Sequence, residues 1–175
     1  SCVNKMDTFI QKIIQYYTSI RVEDELTHID FVGMLDESVK LSKMQKPDLN
    51  FSVNIDQPVP FKNDAFRISI ILDNLISNAI KYQKPDAPEP TIFIDVKVNA
   101  DKAIIKIEDN GIGIIDHHLN NIFKMFFRSN NSVNGLGIGL FIVKEALTRI
   151  GGNISVRSQL NEGTAFYLDI PNMHD

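Results

Sequence analysis

Three segments decide the fold of this chain: Asn74-Leu-Ile-Ser-Asn78-Ala-Ile-Lys81-Tyr82, Asp109-Asn-Gly111-Ile-Gly113-Ile114 and Gly135-Leu136-Gly137-Ile-Gly139-Leu140. The first lies in a helical pattern of apolar residues, and the second follows a strand-like alternation. The third precedes another helical pattern and has glycine at every second position. Together they predict one site that is built from two helices and the end of a strand.

The first segment places polar side chains on one helix face, because Asn74, Asn78 and Lys81 stand at positions i, i+4 and i+7. An amide oxygen is a suitable hard ligand for magnesium, and a lysine ammonium can contact a phosphate as a point charge. Tyr82 follows and can lie against a base. Any one of these residues alone would fit a solvated helix face, so the interpretation depends on the other two segments.

The second segment puts a carboxylate, Asp109, where an alternating strand should end. This group can accept a hydrogen bond from the exocyclic amine of adenine, which the carbonyl of guanine cannot supply. Gly111 and Gly113 allow positive φ angles and a close backbone approach to a flat ring. A plain Asp-Asn-Gly turn is the alternative for this segment taken by itself.

The third segment offers backbone N–H groups around Gly135, Gly137 and Gly139 ahead of a helix, whose dipole also favours an anion. Its spacing matches neither GxxxxGKS/T nor a GxGxxG that follows a strand, which disfavours the two common phosphate-binding loops. The three segments together predict a site for a purine nucleoside triphosphate and its metal ion.

The composition limits the remaining possibilities. With 43% hydrophobic residues, 175 residues can bury one good core. A formal net charge of -4 argues against a nucleic-acid partner, and the single cysteine, Cys2, forms no internal disulfide. No stretch reaches the roughly 18–20 apolar residues of a membrane span. We therefore expect a cytoplasmic domain that makes no membrane contact itself, a location compatible with a longer, membrane-bound parent.

Residues 3–20 have a heptad-like spacing of apolar side chains, which is typical of a helix that packs lengthwise on partner helices. The heptad positions are Val3, Met6, Ile10, Ile13, Tyr17 and Ile20, and Phe9 and Ile14 widen the stripe. The wider stripe favours a four-helix bundle. An amphipathic helix that lies on its own domain is the alternative.

The remaining periodicity predicts an α+β fold. Helices are expected after the N-cap residues Asp30 and Asp64 and over 138–150, and strands over 50–56, 91–98, 103–109, 153–158 and 164–170. Residues 21–28 are expected to form a linker and 110–135 a mobile lid. The sum is a two-layer α/β sandwich, with helices on one face of a mixed, largely antiparallel sheet, plus the N-terminal heptad helix.

The three segments, in this order, resemble the N, G1 and G2 boxes of the catalytic ATP-binding domain of sensor histidine kinases in two-component systems. Ile122-Phe-Lys-Met-Phe-Phe-Arg128 is similar to the F box of that family, and Gly163-Thr164 to its last glycine motif. The resemblance covers about residues 30–171. It implies membership of the gyrase, heat-shock chaperone, histidine kinase and MutL ATP-binding superfamily, and the N-terminal helix resembles the second helix of the kinases' dimerisation hairpin.

The resemblance implies roles for the matching residues. Asn78 would ligate Mg²⁺ with Asn74 in support, Lys81 would contact phosphate and Tyr82 the nucleotide, so that Asn78, Lys81 and Asn74 are the expected catalytic residues. Asp109 would select the adenine of ATP. The other expected ATP-binding residues are Gly111, Gly113, Ile114, Phe127, Arg128, Gly135, Leu136, Gly137, Gly139, Leu140 and Thr164. Phe123, Phe126 and Phe127 would anchor the lid, or are simply part of the core.

Position 74 separates two kinds of enzyme in this superfamily. ATPases of the gyrase and chaperone type carry a glutamate four residues before the metal-binding asparagine, where it activates water. This chain has Asn74 there, and an amide cannot act as a base. Asp73 is adjacent but points about 100° away around the helix. The position favours a protein-histidine kinase over a chaperone-type ATPase, and a non-catalytic nucleotide-binding module is the third alternative.

None of the four histidines stands in the sequence context of the family's phosphate acceptor. We expect His28, His117, His118 and His174 to be solvated and the acceptor to lie upstream of residue 1, which leaves this fragment incomplete for autophosphorylation.

The expected division is 1–25 for the end of the dimerisation hairpin and a linker, and 26–175 for the catalytic ATP-binding kinase domain. The implied partners are a response regulator receiver domain and a second copy of the parent chain, which would form a homodimer through the hairpin.

Overall fold

The computed structural model describes residues 2–21, 23, 25–130 and 135–174. The helices are α1 (Cys2–Arg21), α2 (Phe31–Gln45), α3 (Ala65–Lys81) and α4 (Gly139–Arg149), with a short 3-10 helix at Asp116–His118. The strands are β1 (Leu26–His28), β2 (Asn50–Asp56), β3 (Lys62–Asp64), β4 (Thr91–Val98), β5 (Lys102–Asp109), β6 (Asn153–Gln159) and β7 (Gly163–Pro171).

Five strands form the main sheet in the order β2-β4-β5-β7-β6. β2 runs parallel to β4, and the other neighbouring pairs are antiparallel. Asp109, the last residue of the central strand β5, has Ile92 of β4 on one side and Thr164 of β7 on the other. The prediction of a mixed, largely antiparallel sheet is confirmed. Asp109 therefore lies at the carboxyl end of the central strand, at one edge of the sheet.

One face of the sheet carries the core, because side chains alternate along each strand. Along β4, Ile92, Ile94 and Val96 are buried in the same hydrophobic cluster as the apolar faces of α3 and α4, whereas Phe93 and Lys97 on the other face are exposed. Helices therefore cover one face of the sheet, which confirms the two-layer sandwich.

Both predicted N-caps are present. The Asp30 side chain accepts a hydrogen bond from the N–H of Val32 at 3.0 Å, and Asp64 accepts one from the N–H of Arg67 at 2.8 Å. The Arg67 side chain is fully buried and pairs with the Asp64 carboxylate. The start of α3 is thereby fixed in the core, which sets the register of the helix that carries Asn74.

Helix α1 forms over the predicted range and lies on the catalytic layer. Ile13 and Tyr16 pack against a buried cluster of Ile70, Ile138 and Ile142 from α3 and the start of α4. This contact matches the alternative of an amphipathic helix on its own domain.

A second apolar stripe of α1 faces away from the domain: Met6, Ile10, Ile14 and Tyr17 are exposed. Val3 and Phe9, two further residues of the predicted stripe, have side chains outside the described part of the structure. Packing of α1 on partner helices stays a prediction. Neither α1 nor any other described helix has the combined length and apolar content of a membrane span.

A small second sheet replaces part of the predicted linker 21–28. Leu26–His28 pairs antiparallel with Lys62–Asp64. The sequence gives no sign of these strands because three residues are too few to show alternation. Their pairing anchors the chain directly before α2 and directly before α3.

Candidate functional site

Helix α3 presents Asn74, Asn78 and Lys81 to one cleft. Asn74 is only 2% exposed, and its Nδ2 donates to the carbonyl of Ile70 one turn earlier at 2.8 Å. That bond fixes the orientation of the amide, whose Oδ1 accepts a hydrogen bond of 2.5 Å from Nζ of Lys12 on α1. Asn78 and Lys81 are half-buried and open to the cleft.

Asp109 lines the other end of the cleft and is 7% exposed. Burial raises the pKa of its carboxyl from 3.8 to about 6, although backbone hydrogen bonds from Gly111 and Thr164 oppose the shift. A buried carboxyl that ionises with difficulty gains from a ligand that donates a hydrogen bond to it.

The loop after Asp109 is tied to the end of α3. The N–H of Ile112 donates to the carbonyl of Tyr82 at 2.9 Å. Gly113 has the expected positive φ, 69°, but Gly111 has none. Gly111 is required for another reason, because a Cβ there would collide with the Tyr82 carbonyl. This close approach of the two backbones restricts the shape of the cleft at the Asp109 end.

The glycine segment before α4 is in direct backbone contact with the lid. Gly137 has a φ of 71°, and its carbonyl accepts a hydrogen bond from the N–H of Phe126 at 2.8 Å. A Cβ on Gly135 would overlap the ammonium of Lys81, so the lysine lies across this segment. The glycines therefore bring the lid chain and a cation to the same end of the cleft.

The cleft has two connected parts. Of the predicted residues, the part with the carboxylate is lined by Asn78, Tyr82, Asp109, Gly113, Ile114, Phe127, Leu140 and Thr164. The other part, a cavity of about 230 Å³, is lined by Asn74, Asn78, Lys81, Tyr82, Phe127, Gly135, Leu136, Gly137, Gly139 and Leu140. Gly111 and Arg128 lie outside both linings.

Cations surround the larger cavity. Burial lowers the pKa of the Lys81 ammonium, and the charges of Arg128 and Lys12 lower it further. Burial also lowers the pKa of Lys12, against the charge of Asp73. Within the described part of the chain no carboxylate lines this cavity. This end of the cleft is therefore suited to an anion.

Asn78 is the candidate metal ligand. Its side chain lines both parts of the cleft and has no hydrogen bond to the described residues. Among those residues no group of His, Cys, Asp or Glu could hold a metal by itself. Mg²⁺ keeps several waters and uses phosphate oxygens with few protein groups, so one amide oxygen beside an anion site fits its chemistry. Oδ1 of Asn74 is less suited to bind the metal, because it already accepts a hydrogen bond from Nζ of Lys12.

Fewer phenylalanines of the predicted lid segment pack against the core than expected. Phe123 and Phe127 pack against the core, but Phe126 is 58% exposed at a φ of 66°. His118 is half-buried, contrary to the expectation that it is solvated: its Nδ1 lies 2.9 Å from Oγ of Ser129, and its ring meets Phe127 edge-on. Residues 131–134 of the predicted lid lie outside the described residues.

Several lining residues were missed by sequence reasoning: Lys12, Ser77, Ile112, Ile122, Ser129, Asn130, Ile138 and Phe166. Most lie inside or directly beside the recognised motifs, so the motifs themselves were a usable signal. Lys12 is different. It is 62 residues from Asn74 along the chain, and no local pattern connects the two.

Comparison with known proteins identifies the family. Residues 63–174, more than half of the chain, match the family described as histidine kinase-, DNA gyrase B- and HSP90-like ATPase. The chain belongs to this family. The match spans α3, Asp109 and the glycine segment, which are the elements that form the cleft.

Relatives within this ATPase family are sensor kinases. The sensor protein SrrB of Staphylococcus aureus is 33% identical over an alignment of 147 positions that covers 80% of this chain and 25% of SrrB. The catalytic domain of histidine kinase ThkA superimposes with a TM-score of 0.71 at 26% identity, covering 85% of this chain and 96% of that one. Full-length ShkA, solved in complex with AMPPNP, has a TM-score of 0.78 at 21% identity over 94% of this chain and 35% of ShkA. The domain is thus an ATP-binding domain of the histidine kinase type.

Proposed function

We propose that this domain binds ATP with Mg²⁺ and transfers the γ-phosphoryl group to a histidine on another segment, as the catalytic part of a protein-histidine kinase. The observation that carries the proposal is the order of groups along the cleft. Asp109 lines one end, Lys81 lines the other, and Asn78 lines both parts between them. An adenine, a metal ion and a row of phosphates require these kinds of group in this order.

At the end of the cleft that would hold the adenine base, Asp109 accepts a hydrogen bond from the exocyclic amine, and Gly113, Ile114 and Thr164 lie around the ring. The closely packed Gly111 loop keeps this end in shape. Tyr82, Phe127 and Leu140 line both parts of the cleft, so they would lie along the nucleoside.

At the phosphate end, Lys81 would contact phosphate oxygens in the cavity that Gly135 to Leu140 line, with Arg128 adding positive charge nearby. Asn78 would hold Mg²⁺, which neutralises phosphate charge when it is bound. Phosphoryl transfer needs mainly positioning and charge neutralisation, so the protein does not have to supply a base of its own.

The site is built to keep the γ-phosphate from water. Asn74 has the position where related ATPases carry a glutamate, and its amide is held by Ile70 and Lys12. Asp73 faces α2, where it accepts a hydrogen bond from Ser38 at 2.9 Å. Because no carboxylate among the described residues lines the cavity to activate water, transfer to another acceptor is favoured over hydrolysis.

The parent protein would be a two-component sensor, because the relatives are sensor kinases and the chain covers only a quarter of the length of SrrB. We assign 1–25 to the end of a dimerisation hairpin with its linker and 26–175 to the catalytic domain, a division that the strand pairing from Leu26 supports. The exposed stripe on α1 would meet the other hairpin helices in a homodimer. The phosphoryl group would pass to the receiver domain of a response regulator, in the cytoplasm.

Nucleotide binding and phosphate release test this assignment together. Isothermal titration in Mg²⁺ should show ATP binding at least about tenfold tighter than GTP, the discrimination expected from one hydrogen-bonded amine. Phosphate release from the bound ATP should be far slower than an enzyme's typical turnover of about 10 per second. Equal ATP and GTP affinities would remove Asp109 from base recognition, and steady phosphate release at an enzyme-like rate would favour the chaperone-type ATPase.

A further inference from the structure

We propose that Lys12, on helix α1, is a phosphate-binding residue of this site, so that a helix outside the family match completes the anion-binding end of the cleft. The inference rests on the proposed ATP site. It adds a cation from a part of the chain that precedes the matched residues 63–174.

The geometry places the Lys12 side chain at the larger cavity, which is the anion-binding end of the cleft. Nζ donates to Oδ1 of Asn74 at 2.5 Å and to Oε1 of Gln15 at 3.2 Å, and the side chain lines the same cavity as Lys81 and Gly135. An ammonium group has three N–H donors. Two are used by these amides, which leaves one for a phosphate oxygen.

The helix that carries Lys12 is held in place by contacts around the same turn and by one near its end. Ile13 packs on the buried cluster between α3 and α4, and the Tyr16 ring lies 5.5 Å from that of Phe141. Farther along, Nη2 of Arg149 donates to the carbonyl of Ile20 at 2.5 Å. These contacts fix the backbone at Lys12, so less conformational entropy is lost when the ammonium engages a ligand than for a lysine on a loose segment.

The charges in the cavity favour an anion between the lysines. Lys12 and Lys81 repel each other, and neither has an ion pair within the described part of the chain. The carboxylate of Asp73 acts on Lys12 through its charge, but it already accepts a hydrogen bond from Ser38 on α2. A ligand with several negative charges relieves this repulsion, and a polyphosphate matches the elongated cleft better than a single small anion.

The affinities of four adenine ligands with zero to three phosphates test the assignment. Adenosine, AMP, ADP and ATP are titrated into the whole chain and into Lys12→Met, Lys12→Arg and a control, Lys40→Met, which removes one exposed charge on α2. We expect Lys12→Met to weaken ATP binding about tenfold and to leave adenosine within about twofold of wild type, as for one lost charge-assisted hydrogen bond. Lys12→Arg and Lys40→Met should stay within about threefold of wild type for every ligand.

The outcomes separate this inference from the proposed function. If wild-type protein does not bind ATP, both fail. If it binds ATP in an Asp109-dependent manner but Lys12→Met equals Lys40→Met, the inference alone fails. Tighter ATP binding by Lys12→Met would also overturn it, because the ammonium would then compete with phosphate. An equal loss for adenosine and ATP would assign Lys12 to helix packing instead. If Lys12→Met does not fold, Lys12→Gln, which keeps a hydrogen-bond donor without the charge, takes its place with the same expectations.

Discussion

Oδ1 of Asp109 accepts a hydrogen bond from the backbone N–H of Gly111 at 2.9 Å, just beyond the end of the central strand. Burial nevertheless raises the pKa of this carboxyl to about 6. The group that we assign to adenine recognition therefore changes charge in an accessible pH range. A ligand amine that donates to it binds the ionised form better, so binding and ionisation are linked.

Adenosine affinity should fall as the pH drops below about 6. Above that pH the free carboxyl is ionised, and below it a proton must leave before the amine gains a charged acceptor, which costs up to tenfold in affinity per pH unit. Adenosine is the ligand of choice, because a phosphate group titrates near pH 6 itself. Calorimetry from about pH 5 to about pH 8 measures the effect.

Asp109→Asn is the control for that titration. It should bind adenosine roughly 10- to 100-fold more weakly than wild type at pH 7.5, because a charge-assisted hydrogen bond is lost. Its affinity should also be flat across the pH range. A pH dependence that persists in Asp109→Asn would assign the titration to another group.

The same substitution should stabilise the ligand-free protein at neutral pH. The folded-state pKa of Asp109 lies above its ordinary value of 3.8. The folded protein therefore becomes less stable as the pH rises from about 4 to about 6, because the buried carboxyl must then ionise. Asn carries no charge, and we expect a gain of about 3 kcal/mol at pH 7.5 and only about 0.5 kcal/mol at pH 4. Urea unfolding at the two pH values measures it. A gain of the same size at both would mean that charge burial is not the cause.

Asn78→Ala should remove the effect of magnesium on nucleotide binding. Wild-type ATP affinity should rise with Mg²⁺ and fall after chelation, whereas the variant should bind ATP about equally with and without the metal, since the proposed protein ligand of the metal is gone. Adenosine binding should be unchanged. Ser77→Ala, on the same cavity, is the matched control. Full magnesium dependence in Asn78→Ala would place the metal elsewhere.

Asn74→Glu should not by itself turn the domain into an ATPase. Nζ of Lys12 lies 2.5 Å from the oxygen of Asn74, so a carboxylate there would pair with the ammonium and be hindered as a base. We expect phosphate release to stay within about threefold of wild type in Asn74→Glu, and to rise by about tenfold or more in Asn74→Glu with Lys12→Met, as general-base catalysis permits. Equal rates in the single and double variants would show that Lys12 does not restrain this position.

The sequence predicts what local patterns encode. Asp64 is followed by a helical run of apolar residues, so the cap and the face of α3 could be read directly, and the alternation through Ile105 and Ile107 led to Asp109. The motifs therefore placed both ends of the cleft. Local patterns cannot reveal contacts between distant segments, and for that reason the sequence predicts a linker where the structure has the strand Leu26–His28.

Lys12 and Phe126 show the same limit at the level of side chains. Lys12 is one polar residue in an amphipathic helix, and only the docking of α1 on α4 brings it to Asn74. Phe126 looks like a lid anchor in the motif, but its positive φ turns the side chain outward. In both cases tertiary packing decides the position of the side chain, and no local sequence pattern predicts that position.

The central claim is that this domain donates the γ-phosphoryl group of ATP to a histidine. The most direct measurement mixes the chain with [γ-³²P]ATP, Mg²⁺ and a separate protein that carries the histidine-bearing helix of a sensor kinase hairpin. We predict label on that histidine, stable in base and lost in acid, and strongly reduced label when the domain carries Asp109→Asn. Measurable ATP binding without any histidine label, across acceptor helices from several sensor kinases, would contradict the account.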